Sequence, residues 1–326
     1  MHYSNHTMVP IVHDENTTNN QITIIYLSIQ LSALSLQLAV QYTIHKARLT
    51  DNQYQLVRLL SIIESTYLVT VIIFSVFLLA GNEQNPHHNK HFLKFMTFLA
   101  YTWKSLSVIT NVLISVDRWI AVKYCLRYQA LVTKKKLGGA FLSVALVNAI
   151  ILLCMFYIGE TTNTILSHES IFTSRVIMAY AASLRMIACP IMIILGKKTI
   201  RYRNESEERI RKMNNLHGSQ AEQLDLLTVL RRGINDAFEV NIWACIFLIP
   251  NSLLLLVIVS GIEVPKWAFF ANATLISIYI TCNPVIYLTC YTKLRCFWSH
   301  LFRPQRIIPE ETNGGEQYEK NNESIL

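Results

Sequence analysis

Seven long apolar runs constrain this chain more than any other feature of its sequence. Each is close to the roughly 20 residues that an α-helix needs to cross the hydrocarbon core of a bilayer. The runs cover residues 21–44, 55–80, 91–122, 137–158, 171–196, 237–260 and 267–290. Composition agrees, because 52% of the 326 residues are hydrophobic and 15% are charged, against about a quarter charged in soluble domains. The sequence therefore predicts an all-α membrane protein, a bundle of seven transmembrane helices.

Lys and Arg are distributed unevenly between the two sides of this predicted bundle. Segments 46–53, 118–136, 197–232 and 291–326 hold 2, 6, 9 and 5 of them, whereas the opposite side holds only Lys90, Arg175 and Lys266. Cytoplasmic loops carry the excess of positive charge, so we expect a multi-pass plasma-membrane protein with its N-terminus outside the cell. The net charge of +8 then lies beside membrane lipid. The sequence contains no basic face with interleaved aromatic residues, so we expect no nucleic-acid partner.

Residues 1–20 are polar and rich in Asn, Thr and His, and they contain the sequons Asn5-His6-Thr7 and Asn16-Thr17-Thr18. Such sequons accept glycans on the outer side of a membrane, so Asn5 and Asn16 are predicted glycosylation sites. Chance occurrence in an Asn- and Thr-rich segment is the alternative. The predicted organisation is an extracellular tail at 1–20, a membrane domain with an eighth helix at 21–302, and a cytoplasmic tail at 303–326.

The third apolar run ends in the charged pair Asp117-Arg118, followed by Trp119. A charged pair is too costly for the bilayer centre and belongs where a helix leaves the hydrocarbon. Neighbouring residues on a helix do not face each other, so Arg118 can point into the bundle while Asp117 restrains its base or meets water. This arrangement resembles the Asp/Glu-Arg-Tyr motif that closes the third helix of rhodopsin-like (class A) G-protein-coupled receptors. Residues 125–136, CLRYQALVTKKK, are similar to the second inner loop of adenosine- and melanocortin-type receptors.

A second motif, Asn283-Pro284-Val285-Ile286-Tyr287, lies late in the seventh run. Pro284 removes a backbone donor and loosens the helix, so the amide and the phenol beside it can change partners at low cost. The motif matches the Asn-Pro-x-x-Tyr pattern of the same receptor family. The resemblance covers about residues 24–302 and implies a receptor that senses an extracellular ligand and activates a heterotrimeric G protein. It assigns the activation switch to Asp117, Arg118, Trp119, Pro250, Asn283, Pro284 and Tyr287.

A polar group in the middle of the bundle is also expected from the resemblance. The family holds a sodium ion with an Asp in the second helix, and Glu64 stands at that position in this chain. At 1.5 Å per residue, Glu64 and Ser107 lie at a similar depth, roughly 15 Å from the inner face, and both are expected near Asn283. Glu64, Ser107 and Asn283 are therefore a candidate sodium site. A protonated or salt-bridged Glu64 without a metal ion is the alternative.

Two cations, Lys104 and Arg185, are predicted at mid-membrane depth or beyond, where an unpaired charge costs several kcal/mol. Glu64 can compensate one of them, and an acidic group on the ligand can compensate the other, although Arg185 facing a hydrated cavity is an alternative. The resemblance adds two pocket positions. Ala100 stands where aminergic receptors carry an Asp, and Leu248 replaces the Trp that senses ligand in the family. The ligand-pocket candidates are thus Lys104, Arg185, Ala100 and Leu248.

Three segments of the inner side carry further predictions. Leu294, Phe297, Trp298 and Leu301 recur at helical spacing among basic residues, which predicts an amphipathic eighth helix on the lipid surface with Cys296 as a palmitoylation candidate. Alternating charges at 204–211 favour a helical extension beyond the membrane, with a solvated linker as the alternative. The C-terminal Ser324-Ile325-Leu326 is typical of tails that PDZ domains capture.

Other classes of protein are less well supported by the sequence. In a small solute transporter or channel, the rival class, Glu64, Lys104 and Arg185 would line a solute path. No two runs share the internal Gly/Pro break of many inverted-repeat transporters. His87, His88 and His91 cluster outside but are too few for a typical zinc site. No Ser-His-Asp set or phosphate-binding Gly loop is present, so we expect no enzyme and no cofactor other than sodium.

Overall fold

A computed structural model of the chain describes residues 15–49, 51–79, 86–124, 127–165, 171–214, 242–260, 266–291 and 294–297. This part of the chain is helical and contains no strand. The helices are α1 Glu15–Lys46, α2 Asn52–Leu79, α3 Pro86–Lys123, α4 Tyr128–Leu131, α5 Lys134–Ile165, α6 Ile171–Asn214, α7 Ile242–Val259 and α8 Lys266–Cys290. One further helical turn covers 294–297.

Six helices within the described ranges are long and apolar enough to cross a membrane, namely α1, α2, α3, α5, α6 and α7. Helix α8 carries a shorter apolar stretch, Thr274–Thr289. A bilayer also explains why α5 exposes Leu142, Leu146, Ile150 and Leu153 on one face, since such a stripe at i, i+4, i+8 and i+11 would be unstable in water. The chain is therefore an α-helical, multi-pass membrane protein.

The helix bounds differ from the sequence prediction at the start of the membrane domain and agree with it after the fifth apolar run. Helix α1 begins at Glu15 rather than at residue 21, so 15–20 are helical instead of belonging to an irregular tail. Helix α6 continues to Asn214, which confirms the predicted helical extension. An exposed i,i+4 pair, Arg201 to Glu205 at 2.9 Å, supports that extension. Most of the predicted eighth helix lies outside the described residues.

Helix α3 lies at the centre of the bundle, where it packs against α2, α5 and α6. Helix α1 packs against α2 and α8, and α5 packs against α6. The contrast in burial is large, because many side chains of α3 are buried whereas few of those of α5 are. A central helix can carry polar side chains toward its neighbours, whereas a peripheral one meets lipid. The polar residues of α3 are therefore the first place to look for a site.

Two apolar clusters fill the interior and leave a polar layer between them. One cluster contains Leu68, Val108, Leu248 and Tyr279, and the other contains Leu60, Ile114 and Tyr287. Polar residues separate the two clusters along α2, α3 and α8, and each helix contributes a buried acid or amide: Glu64 lies between Leu60 and Leu68, Asn111 between Val108 and Ile114, and Asn283 between Tyr279 and Tyr287. The packing thus brings three buried polar side chains to one level.

Candidate functional site

Helix α3 presents a polar stripe to the interior of the bundle. Lys104, Ser107, Asn111 and Arg118 follow one another at spacings of three, four and seven residues, which keeps them on one helix face. The first three are buried, and Arg118 is half-buried. At 1.5 Å per residue the stripe runs roughly 21 Å along the axis. It connects the half of the bundle that contains Lys104 to the end of α3 that contains Arg118, and these are called the outer half and the inner end after the orientation that the sequence predicts.

The buried carboxylate of Glu64 is the centre of the polar layer. Its Oε2 accepts a hydrogen bond from Gln37 Nε2 at 2.6 Å. Its Oε1 accepts bonds from Ser107 Oγ at 2.9 Å and from Asn283 Nδ2 at 2.8 Å. These donors come from α1, α3 and α8, so a single side chain of α2 joins four helices.

Two further bonds hold this layer in place. Gln37 is oriented by Ser61, whose hydroxyl donates to Gln37 Oε1 at 2.7 Å. Asn111 Nδ2 donates to the hydroxyl of Tyr279 at 2.9 Å, which joins α3 to α8 a second time. Within the described helices, the layer is therefore a connected network in which amides direct their N–H groups at acceptors.

The three residues of the candidate sodium site, Glu64, Ser107 and Asn283, lie together in this network. A sodium ion requires oxygen atoms directed at it. The amides of Gln37 and Asn283 instead direct N–H donors at the carboxylate. An ionised carboxylate is acceptor-only, so this donor set satisfies Glu64 without a metal ion. If the Asn283 amide turned over, Asn283 Oδ1, Glu64 Oε1 and Ser107 Oγ are the oxygens that would hold a cation.

A cavity of about 150 Å³ lies on the outer side of the polar layer. Three of the four predicted pocket residues, Ala100, Lys104 and Arg185, line it. The fourth, Leu248, lies in the apolar core with 2% of its surface exposed and is not among the described lining residues. The rest of the described lining is Tyr67, Tyr101, Leu255 and Ile276.

The two cations of the cavity differ in their surroundings. Arg185 donates from Nη1 to Asn251 Oδ1 on α7. Lys104 Nζ is buried and has no hydrogen-bond partner among the described residues. It lies 4.1 Å from the ring centroid of Tyr279 and 5.6 Å from that of Tyr67. Lys104 therefore contacts aromatic rings and makes no hydrogen bond to Glu64.

At the inner end of the stripe, Asp117 is held by the connection that follows α3. The Tyr128 hydroxyl donates to Asp117 Oδ1 at 2.6 Å. Burial, and then this hydrogen bond, raise the pKa of Tyr128, so the phenol remains a donor throughout the physiological range. The single-turn helix α4 that begins at Tyr128 thus fixes the carboxylate of Asp117.

Arg118 and Trp119 have polar atoms without hydrogen bonds. Nε and Nη2 of Arg118 and Nε1 of Trp119 are buried and find no acceptor within the described part of the chain. The Arg118 guanidinium lies 5.9 Å from the ring centroid of Tyr291, and Lys123 Nζ lies 4.8 Å from that of Trp119. Arg118 consequently has donors in place at the inner end of α3 that no described group accepts.

The motif of α8 joins the polar layer to this inner end. Asn283 bonds to Glu64, and Pro284 lies inside the helix. The hydroxyl of Tyr287 is buried and has no hydrogen-bond partner among the described residues. Its ring lies 6.0 Å from that of Tyr291, the neighbour of Arg118. The motif together with Tyr291 thus connects the Glu64 carboxylate to the Arg118 guanidinium.

The remaining predicted residues lie away from this network. Pro250 is exposed in α7, and Cys296 is exposed in the helical turn at 294–297. Asn16 lies in the first turn of α1, where no side chain is described, and Asn5 lies outside the described residues. The C-terminal segment 324–326 also falls outside them.

Sequence reasoning missed several partners of these residues: Asn111, Asn251, Tyr128 and Tyr279, as well as the role of Gln37. A signal existed for Asn111, since it continues the α3 stripe four residues after Ser107. No comparable signal existed for Tyr128 or Asn251, because each bonds to a residue of another helix or connection. Comparison with protein-family models gives no match, and comparison with curated proteins gives none either.

Proposed function

We propose that this chain is a rhodopsin-like G-protein-coupled receptor of the plasma membrane, with seven membrane-spanning helices and its N-terminus outside. An extracellular ligand binds in the cavity beside Lys104 and Arg185. The inner ends of α3, α6 and α7 then present a cleft to a heterotrimeric G protein. In this proposal α8 is the seventh span, and the segment after it is the amphipathic eighth helix.

The main support for the proposal is that the Arg118 guanidinium has hydrogen-bond donors without acceptors in the part of the chain that the structure describes. Its guanidinium has two buried nitrogens without an acceptor among the described residues, and the adjacent carboxylate of Asp117 is occupied by Tyr128. A buried donor without an acceptor costs about 1–3 kcal/mol, and more when charged. A protein partner that inserts a carbonyl or carboxylate oxygen here would recover that free energy. The inner end of α3 is therefore suited to a partner from the cytoplasm.

The polar stripe offers a path from ligand to G protein. The cavity residue Lys104 lies one turn before Ser107, which bonds to Glu64, and Glu64 bonds to Asn283 of the α8 motif. Hydrogen bonds between helices can be exchanged when the helices move. A ligand that contacts the cavity more strongly in one arrangement shifts the population toward that arrangement. No covalent step is needed, so the proposed receptor is not an enzyme.

The test of this function is the variant Arg118→Ala, with Arg127→Ala as the matched control. Arg127 is an exposed arginine of the same inner connection. We expect Arg118→Ala to reach the cell surface at the normal level and to lose G-protein activation, measured as nucleotide exchange on purified heterotrimers. Arg127→Ala should retain exchange. Full exchange by Arg118→Ala on every G-protein class tested would refute the proposal.

A small solute transporter or channel is the second candidate, and the three buried charges Glu64, Lys104 and Arg185 favour it. Charges inside a membrane protein commonly mark a solute path. Purified protein in sealed vesicles separates the two candidates. Solute flux without nucleotide exchange on any G protein would favour transport, whereas exchange without flux would favour the receptor.

Three peripheral features belong to the same proposal. The sequons at Asn5 and Asn16 would carry glycans outside the cell. Cys296 is exposed and would carry a palmitate at the lipid surface. The terminal residues 324–326 would bind a PDZ domain, because a free carboxylate after an apolar residue can extend a sheet edge there.

A further inference from the structure

We propose that the cavity between α3 and α6 binds the carboxylate of a small organic acid, with Lys104 and Arg185 as its two cationic partners. This inference rests on the proposed receptor function and names the chemical class of its ligand.

The bonding state of Lys104 is the first argument. Its ammonium group is buried, with 3% of the residue exposed, and finds no hydrogen-bond acceptor in the described part of the chain. An ammonium group carries three donors and no acceptor. The rings of Tyr67 and Tyr279 interact with its charge but leave those donors unused. Lys104 lines the cavity, so an oxygen atom placed there would satisfy it.

The charge balance is the second argument. Among the described residues, the fully buried charged side chains are Glu64, Lys104, Asp117 and Arg185. Asp117 belongs to the inner end of α3, where it faces Tyr128. The outer group therefore contains two cations and the single carboxylate of Glu64. One additional negative charge neutralises this group, which favours a monocarboxylate over a doubly charged phosphate.

The oxygens of Glu64 are already engaged, which is the third argument. They accept bonds from Gln37, Ser107 and Asn283 at 2.6, 2.9 and 2.8 Å. Lys104 is not among these donors, so the internal pair that the sequence allowed does not form as a hydrogen bond. Glu64 attracts the Lys104 ammonium through its charge but accepts no hydrogen bond from it, so the cavity is where an acceptor for Lys104 can be placed.

The lining sets the shape of the rest of the ligand. Besides the two cations, the cavity wall is formed by Ala100, Tyr101 and Leu255 together with Tyr67 and Ile276. Apolar and aromatic walls with a few convergent polar groups are typical of small-molecule sites. A volume of about 150 Å³ has room for a carboxylate and a short apolar body. We infer a short aliphatic or aromatic acid.

The experiment measures direct binding to the full chain, purified in lipid nanodiscs without any G protein. The probes are butyrate, octanoate and benzoate, each paired with its neutral amide, together with inorganic phosphate and chloride. Binding is read as the rise in the thermal unfolding midpoint with probe concentration, since a ligand of the native state stabilises it by mass action. The variants are Lys104→Met and Arg185→Met. Lys94→Met is the control, because Lys94 is on the same helix but is not among the lining residues.

We expect at least one carboxylate, and not its amide, to raise the midpoint of the wild type and of Lys94→Met. Lys104→Met should weaken that binding about 10- to 100-fold, the usual effect of losing one charge-assisted hydrogen bond. The proposal is overturned if the amides bind as well as the acids, if phosphate or chloride alone binds, if no carboxylate binds, or if Lys104→Met and Arg185→Met both retain wild-type affinity. Nucleotide exchange is measured separately, so a failure of this inference is distinguishable from a failure of the receptor function.

Discussion

Replacement of Glu64 by Gln tests the polar layer directly. Gln has nearly the same shape, so no cavity is created. Its carbonyl oxygen can take the place of Oε1 and still accept from Ser107 and Asn283. Its amide nitrogen then takes the place of Oε2 and directs hydrogens at Gln37 Nε2, which donates to Glu64 across 2.6 Å in the native protein. Gln37 can turn over only if Ser61 gives up its bond to Gln37 Oε1 at 2.7 Å and donates to the backbone oxygen of Gln37 alone.

The size of the effect follows from these bonds. The lost bond from Gln37 is charge-assisted and contributes about 1.5–3 kcal/mol. The bonds from Ser107 and Asn283 change from charged to neutral and weaken by about 1 kcal/mol each. Removing a buried charge offsets part of this lost free energy, because a neutral side chain costs less to desolvate. We expect a net destabilisation of about 2–4 kcal/mol, or roughly 4–16 °C in the unfolding midpoint at about 2–4 °C per kcal/mol.

The assay is the thermal unfolding of the purified protein in detergent. Unfolding is monitored through the reactivity of cysteines that become exposed. The control is Gln41→Leu, which removes a neutral, half-buried bond of 2.9 Å to Ser65 at the same interface of α1 and α2. That variant should lose about 1 kcal/mol. If Glu64→Gln unfolds at or above the wild-type midpoint, Glu64 is not an ionised acceptor of three bonds, and the reasoning is refuted.

Three further predictions concern the inner end, the metal and the C-terminus. Tyr128→Phe removes the 2.6 Å bond to Asp117 and frees the Asp117 carboxylate to pair with Arg118, so we expect several-fold lower nucleotide exchange. The control is Tyr124→Phe at an exposed tyrosine of the same connection. An equal effect of the two substitutions would contradict this prediction. Because amide N–H groups face Glu64, the unfolding midpoint should be the same in sodium chloride and choline chloride, whereas a rise with sodium would indicate a bound ion. Deletion of residues 324–326 should abolish capture by PDZ domains, and capture that persists would exclude that mode of binding.

The sequence alone predicted most helices of this protein and the relative depth of its polar residues. Apolar runs of spanning length require helices, because lipid offers no partner for an open backbone. Spacing along a helix determines which face of the helix a side chain lies on and how far along the helix axis it lies. These rules place Glu64, Ser107 and Asn283 at one depth, and they place Lys104 above them on the same helix as Arg118. The alternating charges after the fifth run likewise indicated the extension of α6.

Tertiary structure decided which of these residues bond to one another. Gln37 and Asn283 lie 27 and 219 positions from Glu64 in the chain, and nothing in their spacing requires that both donate to it. Lys104 and Glu64 attract each other through their charges, yet the rotation of the helices directs Lys104 toward the rings of Tyr67 and Tyr279 and leaves no hydrogen bond between the two. Helix association in a membrane depends on close packing and on hydrogen bonds between helices rather than on hydrophobicity. Hydropathy therefore predicts where each single helix lies in the sequence. Only the packing of the bundle determines how the helices are rotated about their axes, and hence which buried polar groups bond to one another.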